Sequence, residues 1–189
     1  QFPKIFPRIS DLPPIYRWRL LKMKTEKLTR LALLTAIASV IFIVELQFPD
    51  LIPITGVKAG LANIITVYVL YKYNWQDAVL VTLARIIIGT IFGGNISAII
   101  YSLSGAIFAL SAMIMLKKFI PKNHIWLCST IGGISHNIGQ TLAAIAVTGT
   151  FAVVSYLPIL ICCGCISGAF TGLSAQFAIN RKIGKIKKK

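Results

Sequence analysis

The stretch Ile52-Pro-Ile-Thr-Gly-Val-Lys58-Ala-Gly-Leu-Ala-Asn63 interrupts a chain that is otherwise mostly hydrocarbon. It brings a proline, two glycines, a lysine and an asparagine between two apolar runs. Inside a membrane such polar groups are expensive unless they bind something, pair or reach water. The stretch therefore reads as a re-entrant or capping loop that runs into a short helix. Arg85, Asn95, His136 and Gln140 are placed to meet it.

Composition sets the class. Of 189 residues, 56 % are hydrophobic and 13 % charged, with a mean hydropathy of +0.78. An ordinary soluble domain carries about a quarter charged residues. The expectation is a single-domain, all-α, polytopic membrane protein. The net charge of +15 lies mostly in the tails and short loops, where it acts as membrane-surface charge. Nucleic acid is not an expected partner, because no basic helix face or aromatic–basic module is present. Cys128, Cys162, Cys163 and Cys165 sit within apolar runs, and no second ligand pair follows Cys162-Cys-Gly-Cys165. Buried small hydrophobes are the expectation there, not a zinc site.

Pro3, Pro7, Pro13 and Pro14 exclude a continuous helix before Pro14, and no apolar core of the signal-peptide kind is present. Residues 1–22 read as an N-terminal extension or, given Tyr16, Arg17, Trp18 and Arg19, as an interfacial arm. Residues 23–180 form the expected six-helix transmembrane domain, and 181–189 a basic cytoplasmic tail. Spans need about 20 apolar residues, fewer when neighbours shield them. Six segments qualify or nearly qualify: 28–48, 60–73, 76–92, 96–119, 125–147 and 151–179. The second and third are short, which fits loops that dip into the bundle.

Basic residues before the first span, after the second (Lys72), after the fourth (Lys117, Lys118, Lys122) and after the sixth contrast with nearly uncharged loops on the other side. By the positive-inside rule both termini are cytoplasmic, in a multi-pass membrane protein. Small residues at four-residue spacing mark close packing: Ala32 and Ala36 on the first helix, Gly164, Gly168 and Gly172 on the sixth.

Helical rise converts position into depth. Glu45, Lys58, Asn63, Asn95, Tyr101 and Gln140 fall in the outer half, with Arg85 and His136 beneath them. His136 and Gln140, four residues apart, face the same way. Polar residues that converge at one depth read as a ligand site. The competing reading has Glu45 neutralising Lys58 or Arg85 while the amides satisfy loop backbone. Several basic groups against one acid favour an anionic or strongly hydrogen-bonding ligand, and Tyr101 offers a stacking face.

The run Gly56-Val-Lys-Ala-Gly-Leu-Ala-Asn63, then Arg85-Ile-Ile-Ile-Gly89, Gly94-Asn95, Tyr101-Ser-Leu-Ser-Gly105 and His136-Asn-Ile-Gly-Gln140, resembles one bacterial membrane family. That family is labelled Gx transporter or heptaprenyl diphosphate synthase component I, and it in turn resembles the S components of energy-coupling factor (ECF) transporters. The resemblance implies a six-helix fold with an outward-facing site under the first loop. The independent depth argument agrees with such a site, and the candidate residues are Lys58, Asn63, Arg85, Asn95, Tyr101, His136, Asn137, Gln140 and Glu45. The resemblance also implies that Ala32 and Ala36 dock onto a coupling transmembrane subunit, with ATPase subunits supplying energy.

The synthase label implies instead an accessory membrane subunit in isoprenoid-quinone synthesis, and the family is associated with flavin-based extracellular electron transfer. A vitamin, a flavin or an isoprenoid-related molecule is then the ligand, and membrane electron-transfer or isoprenoid proteins are the partners. No catalytic role, metal or cofactor is expected of the chain itself. Its five acids include no Asp-rich cluster to hold Mg²⁺ against a diphosphate, and no phosphate-binding glycine loop is present.

Overall fold

The computed structural model describes residues 14–47, 60–93 and 97–186, with side chains over 24–45, 47, 60–92 and 99–181. Helix α1 runs Pro14–Gln47, α2 Asn63–Lys72, α3 Trp75–Gly93, α4 Ser97–Leu116, α5 Ile125–Thr148 and α6 Leu157–Ile186. The described residues form these six helices and two short 3₁₀ segments, with no strand. Pro14 occupies the first helical position of α1, where its missing N–H costs nothing. α1 continues unbroken past residue 22, and α6 past residue 180. A 3₁₀ segment at Phe151–Tyr156 precedes α6 and takes up the start of the expected sixth span. Pro158 then sits in the first turn of α6, where a helix tolerates it.

Four of the helices are long and apolar enough to cross a bilayer: α1, α3, α4 and α6, the last counted together with the 3₁₀ segment before it. α2 is not, since its 10 residues rise only about 15 Å. α5 has the length, at 24 residues, but Ser135, His136, Asn137 and Gln140 dilute its apolar content.

Successive helices alternate in direction. Ser104 on α4 meets Gly139 on α5, and Met113 meets Cys128, so the pair is antiparallel. α1 and α3 instead lie parallel. Lys27 pairs with Asp77 at one end (2.7 Å), and Phe42 packs on Gly89 further along. A Cβ on Gly89 would overlap the Phe42 ring, so the two helices fit only without it. The Lys27–Asp77 end also holds Lys117, whose Nζ donates to the Leu70 carbonyl at 2.6 Å and closes the exposed end of α2.

α2 is buried on every face from Thr66 to Tyr71. It forms the centre of the core with Val81, Leu110, Ile125, Cys128 and Ala175. A short helix sheathed by longer ones needs no lipid-facing surface, which explains how so brief a segment is stable. α5 and α6 meet backbone to backbone along Gly133, Gly164 and Gly168, the close packing that small residues allow.

The cysteines depart from expectation. Cys128 is buried, but Cys162 is exposed, and Cys163 and Cys165 are only partly covered. An apolar run on an outer helix faces lipid as readily as protein, so hydrophobic neighbours in sequence did not imply burial.

Candidate functional site

α2 begins deep in the bundle. Its ten residues lead back from Lys72 to Asn63, and Asn63 lies level with Arg85, ten residues along α3. Gly60 enters the turn at φ +69°, a left-handed conformation that glycine adopts without a Cβ penalty. A helix start leaves N–H groups without an intrahelical partner, which something must satisfy. The N-cap residue Ala62 has no side-chain acceptor to offer. Glu45 of α1 supplies it instead. Its carboxylate, 8 % exposed, accepts from the Leu61 N–H at 2.7 Å and the Ala62 N–H at 3.3 Å. A carboxylate at a helix N-terminus also meets the positive end of the helix dipole.

Glu45→Ala is expected to lower stability by about 1–3 kcal/mol, because the buried Ala62 N–H and the half-buried Leu61 N–H lose their acceptor. Glu45→Gln, which keeps an acceptor oxygen, is expected to recover part of this. Thermal melting of the two variants in detergent checks it, and equal melting points for Glu45→Ala and the wild type would remove the capping role.

Arg85 is 5 % exposed. Its Nη2 donates to Asn63 Oδ1 at 3.0 Å, and its guanidinium carbon stands 5.4 Å from the centroid of the Phe42 ring. Its Nε has no hydrogen-bond partner among the described residues. Arg85 and Glu45 thus bracket one helix start without pairing. Among the described residues the ion pair is Lys27–Asp77, at the far end of the bundle. A buried arginine whose described partners are an amide and a ring is a functional-site signal by default.

Beside Asn63 a cavity of about 40 Å³ opens between α2, α3, α4, α5 and α6. It has room for two or three waters, each needing about 10–15 Å³. His136 borders it, packed so closely on Gly105 that a Cβ there would stand 2.6 Å from the ring. Two hydroxyl pairs line it, Thr66 with Thr82 and Ser129 with Thr171, each at 3.0 Å. Ser167 joins them.

The structure therefore brings together Glu45, Asn63 and Arg85 at the start of α2, and of the candidates it sets Asn63 and His136 on the cavity. Tyr101 and Gln140 are partly buried. They lie one turn beyond Gly105 and His136 on antiparallel helices, which sets them at one level. Asn137 points elsewhere: its Nδ2 donates to the Leu160 carbonyl and ties α5 to α6. Lys58 and Asn95 lie outside the described residues. Ala32 and Ala36 are both exposed on α1, beside Leu33, Ile37 and Val40.

The hydroxyls of Thr66, Thr82, Ser129, Ser167 and Thr171 carried no signal in the sequence. Serine and threonine are common in membrane helices and bond their own backbone, as Ser39 and Thr90 do here.

Helices of this length and apolarity, sheathing a short helix with a buried arginine at its start, make this a membrane protein. The chain belongs to the heptaprenyl diphosphate synthase component I family, whose family model matches residues 34–178. The family label describes one component of a multi-subunit assembly. Neither a curated protein nor a solved structure matches the chain.

Proposed function

We propose that the chain is the membrane-embedded substrate-binding subunit of an energy-coupled importer, resembling an ECF S component, for a small anionic molecule of vitamin, flavin or isoprenoid type. One observation carries the reading. The Arg85 cation is held inside the bundle by the neutral partners Asn63 and Phe42, while Glu45, the nearby acid, is committed to backbone N–H groups. A ligand anion would supply the direct ionic contact that Glu45, bonded to the start of α2, does not make.

In this reading the polar head of such a ligand meets Arg85 beside Asn63, the residue that also lines the cavity. The ligand's bulk would then lie further out, toward Tyr101 and Gln140, with Lys58 and Asn95 completing the site. All six helices cross the membrane in this reading, and both termini are cytoplasmic. Ala32 and Ala36 give a close-approach surface for a coupling transmembrane subunit that ATPases drive. The chain itself performs no chemistry.

Native mass spectrometry of gently purified protein, with identification of copurifying chains, tests the reading. The expected result is a retained small anion together with a membrane coupling protein and ATPases. The family description favours a second reading, a non-catalytic accessory subunit in isoprenoid-quinone or flavin electron-transfer machinery. Copurification of a prenyl synthase or a dehydrogenase instead would decide for it.

Ala32→Leu with Ala36→Leu is expected to abolish partner association and leave ligand retention intact, because bulk there holds two helices apart without reaching the cavity. Wild-type copurification by the double variant would remove the docking role.

A further inference from the structure

α1 and α6 are longer than a bilayer's hydrocarbon layer, and they overshoot it at the same end. Their 34 and 30 residues rise about 51 Å and 45 Å, against about 30 Å of hydrocarbon. The apolar run of α1 follows Arg30 and that of α6 precedes Arg181, so the surplus turns lie at the start of α1 and the end of α6. Lys27–Asp77 and Lys117–Leu70 mark this same end.

Its charge is one-sided. Lys24, Arg30, Lys72, Lys118, Lys122 and Arg181 are all exposed, and they come from α1, α2, the α4–α5 connection and α6. The acids here are Glu26 and Asp77, and Asp77 is held by Lys27. None of the six has a carboxylate within 4.0 Å among the described residues.

Exposed hydrocarbon adjoins these cations along the same elements and connections. Leu28, Trp75, Met115, Phe119, Trp126 and Phe177 are all exposed, Phe119 at 82 %. The Arg181 guanidinium stacks 4.6 Å from the Phe177 ring, a long side chain lying along an apolar surface with its charge at the edge.

We propose that this end of the bundle is a binding collar for anionic phospholipid headgroups, in which Lys24, Arg30, Lys72, Lys118, Lys122 and Arg181 hold the phosphates and the adjoining apolar side chains seat the acyl chains. The pairing of cation with adjoining hydrocarbon selects the occupant. An acidic protein surface would satisfy the cations but leave Phe119, Trp75 and Trp126 without a partner, whereas a phospholipid supplies both halves. The distribution agrees, since the cations come from elements all around the bundle and not from one face.

The full chain in nanodiscs of mixed phosphatidylglycerol and phosphatidylcholine tests the collar, with retained lipid counted by native mass spectrometry. A basic residue near the surface contributes about 1 kcal/mol of attraction, or about fivefold per contact. The wild type should retain the anionic lipid at least tenfold over the zwitterionic one, and 0.5 M salt should shrink that preference. The variant Lys24→Gln, Arg30→Gln, Lys118→Gln, Lys122→Gln should approach parity with an unchanged helical signal. Equal retention of both lipids by the wild type would overturn the proposal, as would a salt-independent preference. So would stabilisation by soluble polyglutamate or inorganic phosphate equal to that given by the anionic lipid.

Discussion

Arg85→Ala is expected to weaken ligand retention by roughly 10- to 150-fold, the largest functional effect of any single change in the chain. A hydrogen bond to a charged group contributes about 1.5–3 kcal/mol, and 1.4 kcal/mol is about tenfold in affinity. Arg85 is 5 % exposed and directs one nitrogen to Asn63, so its planar fork is already held in place. Arg85→Lys should restore little, because an ammonium on a flexible stem cannot reproduce that geometry. The same change also strips Asn63 Oδ1 of its donor, so some loss of stability is expected whatever the arginine does. Measuring the melting point and the retained ligand on the same samples separates the two roles. A lowered melting point with unchanged ligand per folded molecule would make Arg85 a structural residue.

Gly133→Leu is expected to have the largest effect on folding. A Cβ on Gly133 would collide with the Gly164 carbonyl oxygen of α6, and one on Gly168 would stand 2.7 Å from the Ser129 carbonyl of α5. The obstacles are backbone atoms, which cannot rotate away as a side-chain tip can. Gly133→Ala is expected to cost about 1–3 kcal/mol, as overpacking commonly does. Leucine at that position must separate the helices and with them the Ser129–Thr171 hydroxyl pair. Size-exclusion profiles and melting curves of the alanine and leucine variants check the gradation. A leucine variant that melted like the wild type would show that α5 and α6 do not meet this closely.

Much of the architecture was legible because hydrocarbon runs have few readings. The four middle apolar segments became helices close to the expected limits, whereas α1 begins at Pro14 and α6 runs Leu157–Ile186; the brevity of α2 followed from Gly60 and Lys72 on either side of it. The polar cluster was legible for the opposite reason: Glu45, Arg85 and His136 are rare in such surroundings and stand out. Their partners were not legible. Glu45 reads in sequence as a counter-charge, yet it bonds N–H groups 16 and 17 residues away. Only a fold that brings the end of α1 against the start of α2 creates that contact. Asn137 follows His136 directly and looked like its companion. One residue is about 100° around a helix, enough to turn it to Leu160 on α6. The hydroxyls of the cavity gained meaning only when two helices brought each pair together.

The uneven strength of the helices bears on how the chain is made. α1, α3, α4 and α6 are apolar enough to leave the insertion machinery for lipid unaided. α2 is too short for that, and α5 carries too much polarity through its middle. Each is followed or preceded within a few residues by a strong segment that runs antiparallel to it: α3 after α2, linked through Thr66 and Thr82, and α4 before α5, linked through Gly139 and Ser104. If all six helices cross the membrane, as proposed above, biogenesis would proceed by hairpins, with α2 waiting at the membrane until α3 emerges and α5 entering along α4. A lesion at Thr82 or Ser104 would then act first during synthesis, as a fraction of chains left half-inserted and degraded.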